Sequence, residues 1–311
     1  FRTLCENSFP NDCLIYFPRK KIGQANFLKK IALYWQCLKQ IRSFKANLAF
    51  NIEEDSATNH LTRFSAADFK LGCSSIRHKK NYDHVLPLRF ENRPLEVAHR
   101  WHSFYDVFAA LNMPEPEKAY IKLTLDDLSA PLQEKLQQAG WQPDRPTIAL
   151  HAGATKEYKK WPLSHMAALI EKIIAEGLQA VLLGAGGADQ AANSEIVQKL
   201  DNYKLNARPV DLCNKLSLTE RAQFLQQCGR MVGNDSGPFH LGSAIGVKGI
   251  VLWGPTNKDI WGPLEKNSEV VCGNFTCDPA CNKGHCLHQH RCLQEISPDQ
   301  VFEKVKAKLA P

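Results

Sequence analysis

Residues 230–253, RMVGNDSGPFHLGSAIGVKGIVLW, decide how the chain is read. Arg230–Val232 reads as a strand that runs into Gly233-Asn234-Asp235-Ser236-Gly237, and a helix over 236–245 begins at once. A second strand, Gly249–Trp253, follows after a short connection. Strand, polar turn, helix and strand in quick succession is the repeating unit of a parallel sheet. The first N–H groups of a helix have no intrahelical partner, and the helix dipole adds positive potential there, so the turn suits an anion. Ser236 adds a hydroxyl, Gly237 lets a ligand approach the backbone closely, and His240 lies one turn into the helix. Taken alone, the loop is served as well by an Asp or Ser helix cap beside a satisfied His. The neighbouring loops shift that balance.

Working outward, the same alternation recurs. Thr147–His151 (TIALH) is a buried strand, and a helix runs from about Pro162 to Glu176 with Met166, Leu169, Ile170, Ile173 and Ile174 on one face. Ala180–Leu183 is the next strand, followed by a helix near 190–200 and a short strand at Val210–Leu212. Ser217 and Glu220 form a capping-box pattern opening a helix to Cys228. The fold class is therefore α/β, with a parallel sheet covered on both faces and its ligand beyond the carboxyl ends of the strands. The loop HAGATKEYKKWP (151–162) offers small residues, the Thr155 hydroxyl and Lys159 or Lys160 for a phosphate, or else is a basic surface loop with an aromatic anchor. LLGAGGADQ (182–190) is a Gly-rich turn leading to Asp189, placed like a carboxylate that accepts from ribose hydroxyls, although a plain tight turn explains it nearly as well. VLWGPTNKDIWGP (251–263) brings the turn Gly254-Pro255-Thr256 next to the anion loop.

The amino-terminal half is less regular. Helical spacing covers 24–41 and 95–111, Asn47–Ile52 is a short strand, Pro-rich 113–118 breaks the second helix, and 127–139 is a short helix ending at Gly140. A boundary at 140–146 divides the chain into domains 1–140 and 146–311, with a last helix over 298–309. The net charge of +7 is uneven: residues 1–50 carry Arg2, Arg19, Lys20, Lys21, Lys29, Lys30, Lys39, Arg42 and Lys45 against Glu6 and Asp12. Such a segment suits an anionic partner or is a solvated Lys-rich face. No nucleic-acid motif accompanies it, so no nucleic-acid partner is expected. No run of eighteen apolar residues is present. The eleven cysteines, without a secretion signal, read as reduced cytoplasmic thiols. Cys277, Cys281, Cys286 and Cys292, with Cys272, His285, His288 and His290 nearby, are dense enough for Zn²⁺. Gaps of three, four and five residues do not match paired CxxC knuckles, and untethered thiols are the alternative.

In order and spacing, HAGATKEYKKWP, the Gly-rich turn, GNDSGPFHLGSAIG and the GPT turn resemble the bacterial heptosyltransferases, glycosyltransferase family nine. The resemblance covers 146–311 well, and 17–112 more loosely through FPRKK and the helix at 95–111. It implies a GT-B fold of two Rossmann-like domains facing across a cleft. It implies ADP-heptose as donor, a lipopolysaccharide or lipooligosaccharide inner-core acceptor, inversion at the anomeric centre, and no metal or other cofactor. By motif position, Lys159, two residues before Trp161-Pro162, resembles the family's phosphate-contacting lysine, with Thr155 at the hydroxyl position beside it. Asp235, Ser236, Gly237 and His240 resemble the pyrophosphate and heptose site, and Asp189 sits near the ribose-binding acid. The resemblance also implies a cytoplasmic enzyme, and the basic first fifty residues suit peripheral contact with the inner membrane. One part is missing. The family's general base is an Asp in a Gly-Asp loop after the first strand, and no such loop is found. The chain is expected to begin beyond it, with an incomplete N-terminal domain and an unassigned base. Glu53, Glu54 and Asp55 follow NLAFNI, but an acidic surface turn is the simpler reading. The competing readings are a GT-B-type nucleotide-sugar epimerase or hydrolase, and a non-catalytic nucleotide-binding remnant.

Overall fold

The structure is a computed structural model, and it describes residues 5, 6, 9, 10, 12, 14–51, 56–73, 79–86, 112–114, 125–263, 267–275 and 286–307. The sequence-predicted helix at 95–111, the acidic turn Glu53–Asp55, and Cys277, Cys281 and His285 lie outside the described residues. Residues 4–119 and 120–311 form two compact units.

The first unit contains α1 (Arg19–Gln24), α2 (Phe27–Ser43), β1 (Leu48–Asn51), α3 (Ser56–Arg63), β2 (Phe69–Cys73) and β3 (His84–Leu86). The helix expected at 24–41 is α2, which starts at Phe27 because Ala25 and Asn26 are extended and the Asn26 side chain caps it by accepting from Lys29 N; the short α1 precedes it. The strands form a parallel sheet in the order β1-β2-β3. Tyr82 braces this sheet: its hydroxyl accepts from Asn51 Nδ2 at 2.7 Å and donates to Asn59 Oδ1 at 2.6 Å.

The second unit contains α4 (Ala130–Gln138), β4 (Thr147–His151), α5 (Leu163–Ala175), β5 (Gln179–Leu182), α6 (Gly187–Leu200), β6 (Val210–Asp211), α7 (Leu218–Gln226), β7 (Arg230–Asn234), α8 (Gly237–Ala244), β8 (Gly249–Trp253), α9 (Lys258–Trp261), β9 (Ser268–Cys272), α10 (Arg291–Gln294) and α11 (Pro298–Lys306). The capping box forms as the sequence predicts: Ser217 Oγ accepts from Glu220 N at 3.2 Å, and Glu220 Oε2 accepts from Ser217 N at 2.7 Å. All six strands are parallel, in the order β6-β5-β4-β7-β8-β9. The inner strands are buried along their whole length, as a sheet covered on both faces requires.

Alternate residues feed two cores. Ile148 and Leu150 of β4 pack with Met166, Ile170, Ile173 and Val301 on one face. Ala149 packs with Leu136, Trp141, Phe224 and Phe239 on the other. The helix at 130–138 thus belongs with the second unit, because Leu132, Leu136 and Trp141 fill its core. The chain order places β5 and β6 on one side of β4 and β7 to β9 on the other. The connections therefore diverge between β4 and β7, leaving a crevice at their carboxyl ends.

Ile170 is fully buried in the first of these cores. Ile170→Ala should lower the unfolding free energy by about 2–5 kcal/mol, read as a shift of the urea midpoint at unchanged slope. A loss under about 1 kcal/mol would mean that the core around α5 collapses to fill the gap.

Candidate functional site

The crevice is where the sequence-predicted residues meet. His151 ends β4 and pairs in register with Gly233 of β7, so the loop after β4 and the turn 235–237 leave the sheet side by side. Asn234, fully buried, sews them together. Its Nδ2 donates to Ala152 O at 2.7 Å and its Oδ1 accepts from Trp161 N at 3.1 Å. Trp161 is the anchor of the first loop, with its ring N–H donating to Ile296 O at 3.0 Å.

Asp235 is the hub. Its Oδ2 accepts from Lys159 Nζ at 2.5 Å and from Thr256 Oγ1 at 3.1 Å, and its Oδ1 faces His240 Nε2 at 3.2 Å. One carboxylate, 6 % exposed, thereby fixes groups from three loops. Burial works against its charge. Hydrogen bonds from His240, Lys159 and Thr256 and the Lys159 charge outweigh it and hold the carboxyl below the usual range. A carboxylate repels phosphate, so its part is to orient His240 and Lys159, whose remaining ammonium protons can meet an anion. Lys160, the other lysine weighed for that task, pairs with Glu157 instead. Thr155 is exposed in the loop before Lys159.

The second constellation joins His151, Ser236 and Asp189. His151 is buried, with Nε2 3.3 Å from Asp189 Oδ2 and Nδ1 3.2 Å from Ser236 Oγ. A carboxylate only accepts, so Nε2 carries a proton toward Asp189, and Nδ1 shares the second hydrogen bond with the serine hydroxyl. Two consequences follow. Ser236 is the N-cap of α8 but makes no side-chain cap bond, and Pro238 in the first turn has no N–H. The helix end, with Gly237 at its first position, is thus left open to an anion. Asp189 is also occupied, since its Oδ2 accepts from Ala185 N at 2.8 Å. The His151 hydrogen bond, then, against the cost of burial, the Ala185 N–H and the charges of His151 and Arg221 hold its carboxyl low. A Cβ at Gly153 would collide with that carboxylate, which is why the small-residue loop can lie over it. Asp189 therefore faces the loop after β4 as well as the crevice. A pocket of about 430 Å³ opens beside Gly153 and Asp189, bounded by Trp161 and His290.

His151 and Asn234 were not singled out from the sequence, though both sit in the quoted loops. The signal for His151 was its place as the last residue of a buried strand facing a loop of small residues. In the cysteine-rich segment, Cys286 Sγ accepts from His290 N at 3.2 Å and Cys272 is exposed. Among the described residues no group of three His, Cys, Asp or Glu is arranged to hold a metal.

The glycosyltransferase family 9 (heptosyltransferase) model matches residues 34–290. The chain belongs to that family. It is 27 % identical over 194 residues to lipooligosaccharide heptosyltransferase 2 of Campylobacter jejuni, covering 61 % of this chain and 60 % of that one. It is 32 % identical over 168 residues to lipopolysaccharide heptosyltransferase 2 of Escherichia coli, covering 53 % of this chain and 47 % of that one. The chain thus spans about half to three fifths of the curated relatives it matches. Among solved structures, E. coli ADP-heptose lps heptosyltransferase II superposes with a TM-score of 0.69 at 23 % identity, over 90 % of this chain and 81 % of that one. E. coli heptosyltransferase WaaC with ADP gives 0.60 at 17 %, over 94 % and 82 %. The fold is that of the GT-B heptosyltransferases, an α/β class with parallel sheets.

Both site carboxyls titrate lower in the folded chain than in the unfolded one, where an aspartate sits near about 3.9. The stability they confer is complete above that value and is lost as pH falls through their folded pKa. At pH about 6, Asp235→Asn should be less stable than the parent by about 2 kcal/mol, the scale of charged hydrogen bonds lost. In urea unfolding series the gap should narrow as pH falls below about 3.9 and through the lowered folded pKa. A gap that persists undiminished in acid would mean that the charge of Asp235 does not hold the hub together.

Proposed function

We propose that the chain transfers heptose from ADP-heptose to the inner core of lipopolysaccharide or lipooligosaccharide, with inversion and without a metal. The observation that carries this reading is the Asp235 hub. It holds a lysine and a histidine beside an open helix end, in a chain of the heptosyltransferase family. When the acceptor oxygen attacks the anomeric carbon, the bond to the diphosphate breaks and negative charge grows on the leaving oxygens. Lys159, His240 and the first N–H groups of α8 are held in place before that charge develops, which is the condition for stabilising a transition state rather than a ground state. The Lys159 ammonium, an imidazole donor and a helix dipole supply the neutralisation that a divalent ion supplies elsewhere, and this supports the metal-independent reading. Asp235 Oδ1 retains a lone pair for a sugar hydroxyl, and Thr155 lies in the loop that leads to Lys159. Asp189 lies near enough to the crevice for ribose while bracing His151. The acceptor's proton goes to a base that none of the described residues supplies by motif.

Calorimetric titration with ADP, against UDP and GDP and with and without a chelator, tests the donor site. ADP-selective, chelator-insensitive binding is the expected result, weakened in Asp235→Ala. In a transfer assay, Lys159→Ala should lose about 100-fold or more in rate while remaining folded. Parental turnover in that variant, or selective binding of another nucleotide, would overturn the assignment.

A further inference from the structure

His151 has no task in the transfer chemistry as derived above, yet it is only 3 % exposed and sits where the two phosphate loops leave the sheet. A buried imidazole costs stability unless its nitrogens find partners. Here both do: Asp189 Oδ2 lies 3.3 Å from Nε2, and Ser236 Oγ lies 3.2 Å from Nδ1. The two partners need the ring to different degrees. Asp189 Oδ2 has a second donor in Ala185 N at 2.8 Å, and the buried Arg221 adds positive charge from α7. The turn that carries Asp189 is pinned separately. Gly184 O accepts from Arg221 Nη2 at 2.9 Å and from Asn214 N at 3.1 Å, and Gly186 N donates to Asn214 Oδ1 at 2.6 Å. Asp189 therefore has holds besides the imidazole. Ser236 Oγ has none: among the described residues His151 Nδ1 is its only hydrogen-bond partner.

The backbone of Ser236 is extended, as an N-cap requires. A serine so placed ordinarily turns its oxygen onto the amide of the second or third helical residue. Pro238, the second, has no N–H, which leaves Phe239 N as the natural target. The hydroxyl faces His151 instead, and Phe239 N is not taken by the cap.

We propose that His151 is a positioning residue for the donor: Nδ1 holds Ser236 Oγ away from Phe239 N, and so keeps the start of α8 vacant for the diphosphate. Nε2, facing Asp189, fixes the ring in the orientation that does this. The two nitrogens thus have separate tasks, and the one toward Ser236 governs the anion. A histidine that merely closed the core at the end of β4 would show no such division. The proposal takes the identity of the anion from the donor reading above, whereas the state of Phe239 N is a property of the chain alone.

Two substitutions separate the nitrogens. An asparagine amide can stand in for Nδ1, and the longer glutamine amide for Nε2. His151→Asn therefore keeps the contact to Ser236 and gives up the one to Asp189, and His151→Gln does the reverse. The first readout is hydrogen exchange at the Phe239 amide in the whole, ligand-free chain. Freed to cap α8, the hydroxyl of His151→Gln should slow that exchange by about fivefold, the weight of an ordinary serine cap, while His151→Asn exchanges like the parent. The second readout is calorimetric titration with inorganic pyrophosphate, which carries no ribose for Asp189. His151→Gln should bind it about fivefold more weakly, because the anion must displace the new cap, and His151→Asn should bind it like the parent. Adding Ser236→Ala to both variants should erase the difference between them. Phe239 exchange that is unchanged or faster in His151→Gln, or equal losses of binding in the two variants, refutes the proposal. Should a His151 variant fail to fold, Ser236→Ala alone decides. Parental exchange at Phe239 is expected there, and faster exchange would show that the serine caps its own helix after all. A parent chain that binds neither pyrophosphate nor ADP would sink the donor reading and leave the exchange measurement to judge His151.

Discussion

One buried carboxylate organises the second unit's working end. Asp235 is nearly inaccessible, yet it stays ionised because Lys159, His240 and Thr256 surround it. Each comes from a different segment: the loop after β4, the first turns of α8 and the turn after β8. A buried charge without partners would cost several kcal/mol, on the order of the whole stability margin of a domain. The loops therefore cannot drift apart without exposing that cost. The sheet contributes the other half of the constraint. Placing β4 against β7 puts the origins of two loops next to each other, and the side chain of Asn234, at the end of β7, bonds backbone groups at both ends of the loop after β4.

Most of the second unit was legible from periodicity and punctuation. Thr147–His151 and Gly249–Trp253 match their strands residue for residue, and the Ser217–Glu220 box opens its helix as written. The reason is physical. A doubly covered parallel sheet makes each strand a short apolar run and each helix an amphipathic one, so local pattern and global packing agree. The helix at 130–138 shows where this stops. Its spacing revealed a helix, but only the packing of Leu132, Leu136 and Trp141 into the second core shows which unit owns it. The short helix Arg19–Gln24 was equally hidden, because its six mostly polar residues are too few to show an apolar period.

The site was legible as a set of loops and not as a set of bonds. Lys159, Asp235, Ser236 and His240 stand out by type and position. That Asp235 faces Lys159 and His240, and that Ser236 faces His151 rather than its own helix, depends on side-chain directions fixed by strand register over dozens of intervening residues. His151 escaped notice for the same reason: in sequence it closes an apolar strand, and only the fold places Asp189 and Ser236 at its two nitrogens. The pair also shows how a role can be divided. Asp189 sits where a ribose contact was expected, but its carboxylate also accepts from Ala185 N and faces the His151 ring.

The uncapped start of α8 has a thermodynamic meaning. A serine at an N-cap ordinarily contributes about 1 kcal/mol to its helix, and here that hydroxyl is spent elsewhere. The helix start lacks that side-chain cap, and an anion settling on its free amides would supply the missing cap from outside. Ligand and helix would then be parts of one folding unit, so that occupancy would feed directly into resistance to unfolding. A ligand at a hundred times its dissociation constant adds about 2.7 kcal/mol by mass action alone. In a cell, that linkage would leave the protein most durable when its substrate is plentiful, and most open to proteolysis when it is scarce.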